Sequence, residues 1–275
     1  MLAHKWQNLE IIVSDNASSD GTAAIVQRYM QRDARIRYRR HDTNRGVAVN
    51  WNTVARAARG EYFKWLAAAD VMEPTLLERC ARVLQQRPDV VMVYGRTRWI
   101  DEDGLALGLA EGDFALASAR PHRRFAYQAA HLGVNNQINA GLFRTAALRR
   151  TPLMANYPSS DLVFMAEIAL QGRIVLLPDE LFRRRSGSDV STPQRTPLQI
   201  ERMYNPHATR PRRFVRLRRH AGRYAACLRA PLALRERLLA LGAATQLALR
   251  GWQRLMLRHG LRLMRATGLS VGEGG

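Results

Sequence analysis

The chain has 275 residues, 47% hydrophobic and 24% charged, with a net charge of +20 at pH 7. That length holds one large domain, or one domain with an appendage. No apolar run approaches the roughly 20 residues that span a bilayer, and two distant cysteines, Cys80 and Cys227, are too few for a disulfide framework or a zinc site.

Both cysteines sit in helical patterns and are expected to be small core residues of a reducing compartment. The opening residues Met1-Leu2-Ala3-His4-Lys5-Trp6 lack the apolar core of a signal peptide. A cytoplasmic protein is therefore the expectation. The excess of arginine calls for an anionic partner: nucleic acid, lipid head groups or a phosphorylated substrate.

Asn8 to Asp15 is a β-branched run ending in polar residues, the pattern of a buried parallel strand. Asn16 to Thr22 is a tight loop of cap-forming side chains, and Ala24, Ile25, Tyr29 and Met30 then carry helical spacing. Ile36 to Arg39 alternates like a more exposed strand. After the turn from His41 to Gly46, the residues Val47, Trp51, Val54 and Ala58 mark a helix that closes at Gly60.

The stretch Gly60 to Asp70 predicts a buried strand that delivers one carboxylate, Asp70, to its C-terminal end. Met72-Glu73-Pro74 is expected to start the next helix. Ligands of open α/β sheets sit beyond the carboxyl ends of the strands. An acid there can hold a divalent cation, and the cation a diphosphate; equally, Asp70 can simply cap the following helix.

A helix through Leu76 and Leu84 stops before Pro88, and Val90 to Tyr94 is the next strand, with a strand end and turn at Trp99 to Gly104. This β-α-β-α-β alternation predicts a mostly parallel sheet with helices on both faces. A helix over residues 120–131, a short strand over 138–144, a brief helix from Thr145 and a helix capped by Ser159-Ser160-Asp161 come next. Arg173 to Leu177 reads as the last strand, and Arg183-Arg184-Arg185 as the start of a basic loop before Pro193 and Pro197.

The C-terminal part, residues 201–275, differs in kind from residues 1–200. Between Arg210 and Arg265 stand fifteen arginines and one acid, Glu236, interleaved with leucines from Leu228 to Leu261. Basic amphipathic helices broken near Pro231 and Gly251 are expected. Such helices suit an anionic membrane surface, or they pack on the catalytic domain with their arginines solvated. Nucleic acid is not the expected partner, because no binding motif or aromatic stacking platform is present.

With these stretches placed, the chain resembles the family 2 inverting glycosyltransferases of the GT-A fold. The resemblance is carried by Asn8-Leu9-Glu10-Ile11-Ile12-Val13-Ser14-Asp15-Asn16-Ala17-Ser18-Ser19-Asp20-Gly21-Thr22, then Asn44-Arg45-Gly46, then Gly60-Glu61-Tyr62-Phe63 leading to Asp70. It covers roughly residues 1–190. It implies a Rossmann-like α/β sheet and transfer of a sugar from a nucleoside-diphosphate sugar, most commonly a UDP-sugar. The acceptor would be a hydroxyl of an envelope, polysaccharide or lipid-linked glycan, at the inner face of the plasma membrane.

The resemblance also implies roles. Asp15 matches the acid that bonds the nucleotide base; Asn16, Asn44 and Gly46 belong to the same nucleotide-binding loops, while Asp20 and Thr22 shape the loop and helix start. Asp70 matches the last acid of the motif that binds Mn2+ or Mg2+, and Asp161 the acceptor-side catalytic base; Arg183 to Arg185, first among them Arg183, could neutralise phosphates or be a solvated basic loop. Ala69 stands where the family usually has a second acid. A first βα unit of about thirty residues is not seen before Asn8, which implies a start upstream or a fragment. An inactive GT-A-like binding or scaffold protein is the alternative expectation.

Overall fold

The structure, a computed structural model, describes residues 6–111, 114–131, 140–186 and 195–266, with side chains as far as residue 253. The strand β1 (Ile11–Asp15) pairs in parallel with β2 (Ile36–Arg40) across the helix α1 (Thr22–Met30), placing Asp15 opposite Arg40. Then follows α2 (Val47–Ala57). A second sheet takes β3 (Tyr62–Phe63), β4 (Val71–Met72), β5 (Val90–Ile100), β6 (Ala106–Leu109), β7 (Leu142–Arg144) and β8 (Arg173–Arg185). Its order is β3-β7-β5-β8-β4, with β6 on the far end of β5.

Every residue from Val90 to Gly95 on β5 is buried, which requires cover on both faces of the sheet. Helices α3 (Leu76–Gln86) and α6 (Ser160–Gln171) supply it. The helices α4 (Pro121–Ala130), α5 (Thr145–Arg149) and α7 (Pro197–Tyr204) complete this part of the chain. The boundary drawn at residue 200 falls inside α7. Beyond it, α8 (Val215–Arg229) and α9 (Leu234–Ala266) lie against α4 and α6. Cys80 and Cys227 are both free and fully buried.

The α/β class and the flanking helices are as expected, and the two long ladders are parallel, with short antiparallel ladders added to them. Among the described residues only β1–β2 and β5–β8 run parallel, and the other four ladders are antiparallel. The parallel pairs are joined by helical crossovers; β6 returns on β5 by the turn at Asp101 to Gly104, and β7 and β4 are short returning edges.

The stretch from Gly60 to Asp70 is the largest correction. Only Tyr62 and Phe63 are strand, because β7 offers just three residues to pair with. The chain then crosses the end of the sheet from one edge strand, β3, to the other, β4. That traverse covers four inter-strand spacings, roughly 19 Å, within the reach of residues 64–70 in extended form. Trp65 anchors the crossing. It is buried between Phe63, Phe143 and Phe164, and its indole N–H donates to the Trp51 carbonyl at 3.0 Å. The helix that follows begins at Leu76, with Pro74 and Thr75 in the turn before it.

Three smaller corrections concern breakers. β8 does not stop at Leu177: its ladder with β5 slips between Gly95 and Arg96, where Pro178 and Asp179 are accommodated as a bulge. Leu181 and Phe182 then return to the core, so Arg183-Arg184-Arg185 ends a strand and is not a loop. Gly251 does not break α9, since a lone glycine costs a helix only about 1 kcal/mol. Pro231 does separate α8 from α9. The expected strand residues Ile138 and Asn139, the breaker Pro193, and the side chains of Leu255, Met256, Leu261 and Met264 lie outside the described residues.

Candidate functional site

β1 ends at a set of polar side chains that close on one another. Asp15 accepts the Ser18 N–H at 2.8 Å and the Tyr38 hydroxyl at 2.5 Å, and Arg40 Nε lies 3.7 Å away. Its side chain is 0% exposed. Burial pushes the carboxyl up, but the Ser18 and Tyr38 hydrogen bonds and the Arg40 charge outweigh it and hold Asp15 below the usual carboxylate range. The carboxylate is thus turned into the β1–β2 pair. Asp20 plays the expected structural part, accepting the Thr22 N–H and hydroxyl at the start of α1.

Asn16 and Asn44 clasp each other across the loops. Asn16 Nδ2 donates to Asn44 Oδ1 at 2.7 Å, Asn16 Oδ1 accepts the Arg45 N–H at 2.9 Å, and Asn44 Oδ1 also accepts the Gly46 N–H at 3.0 Å. The structure therefore brings Asp15, Asn16, Asn44 and Gly46 together beyond the carboxyl end of β1. Asn50 on α2 adds a second tie, accepting the Ser14 hydroxyl at 2.6 Å and donating to the Ser14 carbonyl.

Gly46 sits at φ +84°, and a Cβ there would come within 2.0 Å of the Tyr204 carbonyl oxygen. Both facts demand glycine. Gly46→Ala is expected to cost about 2–4 kcal/mol by prising α7 from α2, read as a lowered urea midpoint. An unchanged midpoint would mean that α7 moves freely.

Asp70 is buried, 9% exposed, and its Oδ1 accepts the Arg185 N–H at 3.2 Å. The Arg185 guanidinium donates to the carbonyls of Ala69 at 3.1 Å and Asp101 at 2.6 Å, and to that of Glu102, tying the 64–70 crossing to the turn after β5. Lys64, with its ammonium 4.5 Å over the Phe182 ring, and Arg184, 5.2 Å over Trp99, complete a basic surround. Burial pushes Asp70 up, and the Arg185 N–H with the charges of Arg184, Lys64 and Arg185 only partly opposes it. Burial pulls Lys64 down to about 7.

Among the described residues no three His, Cys, Asp or Glu side chains gather as a metal cluster. Arg183 stands apart from this group: half-exposed, it pairs with Glu73 at 2.7 Å and lines a surface hollow with Arg79 and Arg98 that neither Asp70 nor Asp161 borders.

Asp161 lies in the first turn of α6, after Ser159 at φ +67°. Its charge is felt by Tyr204, at the end of α7. Burial pushes the Tyr204 phenol well up, and the charge of Asp161 adds to this, with the Ser159 N–H at the hydroxyl opposing. The Tyr204 backbone also meets Gly46, so the end of α7 packs on the asparagine clasp. Asn52 makes a second link: it is buried on α2 and exchanges two hydrogen bonds with the Met154 backbone, at 2.7 and 3.1 Å, in the loop leading to α6.

Sequence reasoning missed Tyr38, Asn50, Asn52 and Tyr204, and it placed Arg185 in a phosphate-facing loop, not under Asp70. An asparagine on a helix face opposite buried backbone leaves a weak signal at Asn52; the others follow only from tertiary pairing.

The family model for Glycosyl transferase family 2 matches residues 1–150. Glycosyltransferase GlyG of Streptococcus pneumoniae is 25% identical over 202 residues, 70% of this chain and 66% of its own length. Chondroitin synthase of Escherichia coli is 31% identical over 97 residues, 35% of this chain and 14% of its own. The chain thus spans less than two thirds of either relative. In fold it is similar to S. aureus TarS 1-349 in complex with UDP-GlcNAc, at TM-score 0.58 and 15% identity, over 86% of this chain and 64% of that one. It is also similar to the mannosyltransferase PcManGT of Pyrobaculum calidifontis in complex with GDP-Man and Mn2+, at TM-score 0.50 and 18% identity, over 96% of this chain and 74% of that one.

Proposed function

Because the chain belongs to glycosyl transferase family 2, we propose that it transfers a sugar, with inversion, from a nucleoside-diphosphate sugar to a hydroxyl of a glycan or lipid-linked acceptor. One arrangement carries the reading: the Asn16–Asn44–Gly46 clasp lies beyond the β1 end, the end of α7 packs on it where Gly46 meets the Tyr204 carbonyl, and the Tyr204 phenol feels the charge of Asp161 at the start of α6. The nucleotide sugars bound in the similar structures support the donor class. Residues 1–200 are taken as the catalytic unit, completed by the end of α7 with Tyr204, and the remainder of 201–275 as a helical tail.

In this reading the acceptor oxygen bonds the anomeric carbon as the carbon–oxygen bond to the diphosphate breaks. Asp161 takes the hydroxyl proton, and the nucleoside diphosphate departs. Asp70 would hold a divalent cation, Mn2+ or Mg2+, in the manner of sites that use one or two carboxylates and complete the shell from substrate phosphates and water. Such a cation, when bound, stabilises charge on the leaving phosphate. Arg184 supplies positive charge beside the same carboxylate, and Lys64 adds to it when protonated.

A second reading, a GT-A-like binding protein without transfer, is favoured by the enclosed Asp15 and by alanine at 67 to 69. Calorimetric titration with UDP, with and without Mn2+, separates the two. The transferase reading expects metal-dependent binding that weakens at least about tenfold, some 1.4 kcal/mol, in Asp70→Asn. Binding indifferent to both metal and substitution would sink the Asp70 assignment, and no binding at all would favour the second reading.

A further inference from the structure

We infer that the α8–α9 hairpin docks this protein on an anionic lipid surface. A helix packed on a globular core normally turns its largest apolar side chains inward. Here the fully buried positions are small, Ala226, Cys227, Ala240 and Ala244 against α4 and α6, and Leu232, Leu241 and Leu247 are only partly buried beside them. The outer faces carry Leu217 and Leu228 on α8, and Leu234, Leu238, Leu249 and Trp252 on α9, each between 57% and 69% exposed.

Their spacing makes stripes. At about 100° per residue, Leu217 and Leu228 fall within about 20° of each other, and the four α9 residues within about 60°. The stripes border one seam. Thr245 lies within the α9 stripe and Tyr224 at the margin of the α8 stripe, and their hydroxyls hydrogen-bond at 2.8 Å. Phe214, at the start of α8 and 74% exposed, extends the same surface.

Charge completes the identification. Arg216, Arg218, Arg235 and Arg250 are exposed beside the stripes. The one acid of this region, Glu236, is drawn back to α4 by His122, with Nδ1 to Oε2 at 2.7 Å. An apolar band rimmed by arginine with no opposing acid fits acyl chains below anionic head groups. Nucleic acid would satisfy the arginines but leave six large apolar side chains in water. Among the described residues no helix is long and apolar enough to cross a membrane, so the hairpin would lie on the surface.

Flotation of the full chain with vesicles tests this, using phosphatidylcholine alone or mixed with phosphatidylglycerol. The expected result is capture by the anionic vesicles only, weakened more than about tenfold by Leu238→Glu/Trp252→Glu and by Arg235→Glu/Arg250→Glu. These side chains are exposed, so circular dichroism and UDP titration of the variants should match the parent chain. Absence of capture would overturn the proposal. So would capture that the apolar pair of substitutions leaves unchanged, since arginine alone would then explain it. Because UDP binding is read separately, failure here leaves the glycosyltransferase reading standing.

Discussion

Asp161→Asn is expected to lower sugar transfer by about 10²–10⁴-fold while UDP binding stays within about twofold of the parent. The amide keeps the shape of the carboxylate but cannot take the acceptor proton. Its structural cost is small. Asp161 is in the first turn of α6, where removing a negative charge loses about 0.3–1 kcal/mol of interaction with the helix dipole. A loss of turnover with an intact urea midpoint and intact donor binding would therefore report chemistry and not folding. If transfer were unchanged, the base would have to be sought elsewhere.

The parts of this site that a linear reading recovers are those whose signal is local. Asp15 is marked by the end of an apolar run, Asp20 by its position two residues before Thr22, and Asp161 by a helix start. The clasp of Asn16 with Asn44 needs only that two short loops meet at the end of one parallel strand pair. Asp70 was legible as an acid at a sheet end, but its setting was not. Aromatic residues from Tyr62 to Trp65 satisfy a strand pattern equally well whether they pair in a ladder or fill a core. Here the short partner β7 leaves Trp65 to do the latter. The role of Arg185 was hidden because Pro178 reads as a strand end, whereas the sheet absorbs it as a bulge. Tyr204 lies beyond the stretch carrying the family resemblance and meets Gly46 only through the packing of α7.

The largest effect on stability is expected at the opposite end of the helix that carries Asp161. Arg124 on α4 is 4% exposed, and among the described residues no acid hydrogen-bonds it. Its guanidinium is spent on four carbonyls: Ala169 at 2.8 Å, Leu170 at 3.2 Å, Ser118 at 2.7 Å and Ala119 at 3.1 Å. Two of these belong to the last turn of α6, whose carbonyls lack intrahelical donors and form the negative end of the helix dipole. Burial pulls Arg124 down to about 10, which leaves it charged at neutral pH. Arg124→Met keeps much of the apolar stem but strands the carbonyls, and is expected to cost about 3–5 kcal/mol. Arg124→Lys should recover only part of this, because a point charge cannot serve four acceptors spread around a planar fork. Urea denaturation at constant slope would measure both. An unchanged midpoint in the Met variant would mean that water replaces the guanidinium, and that α6 is held in place by its apolar face alone.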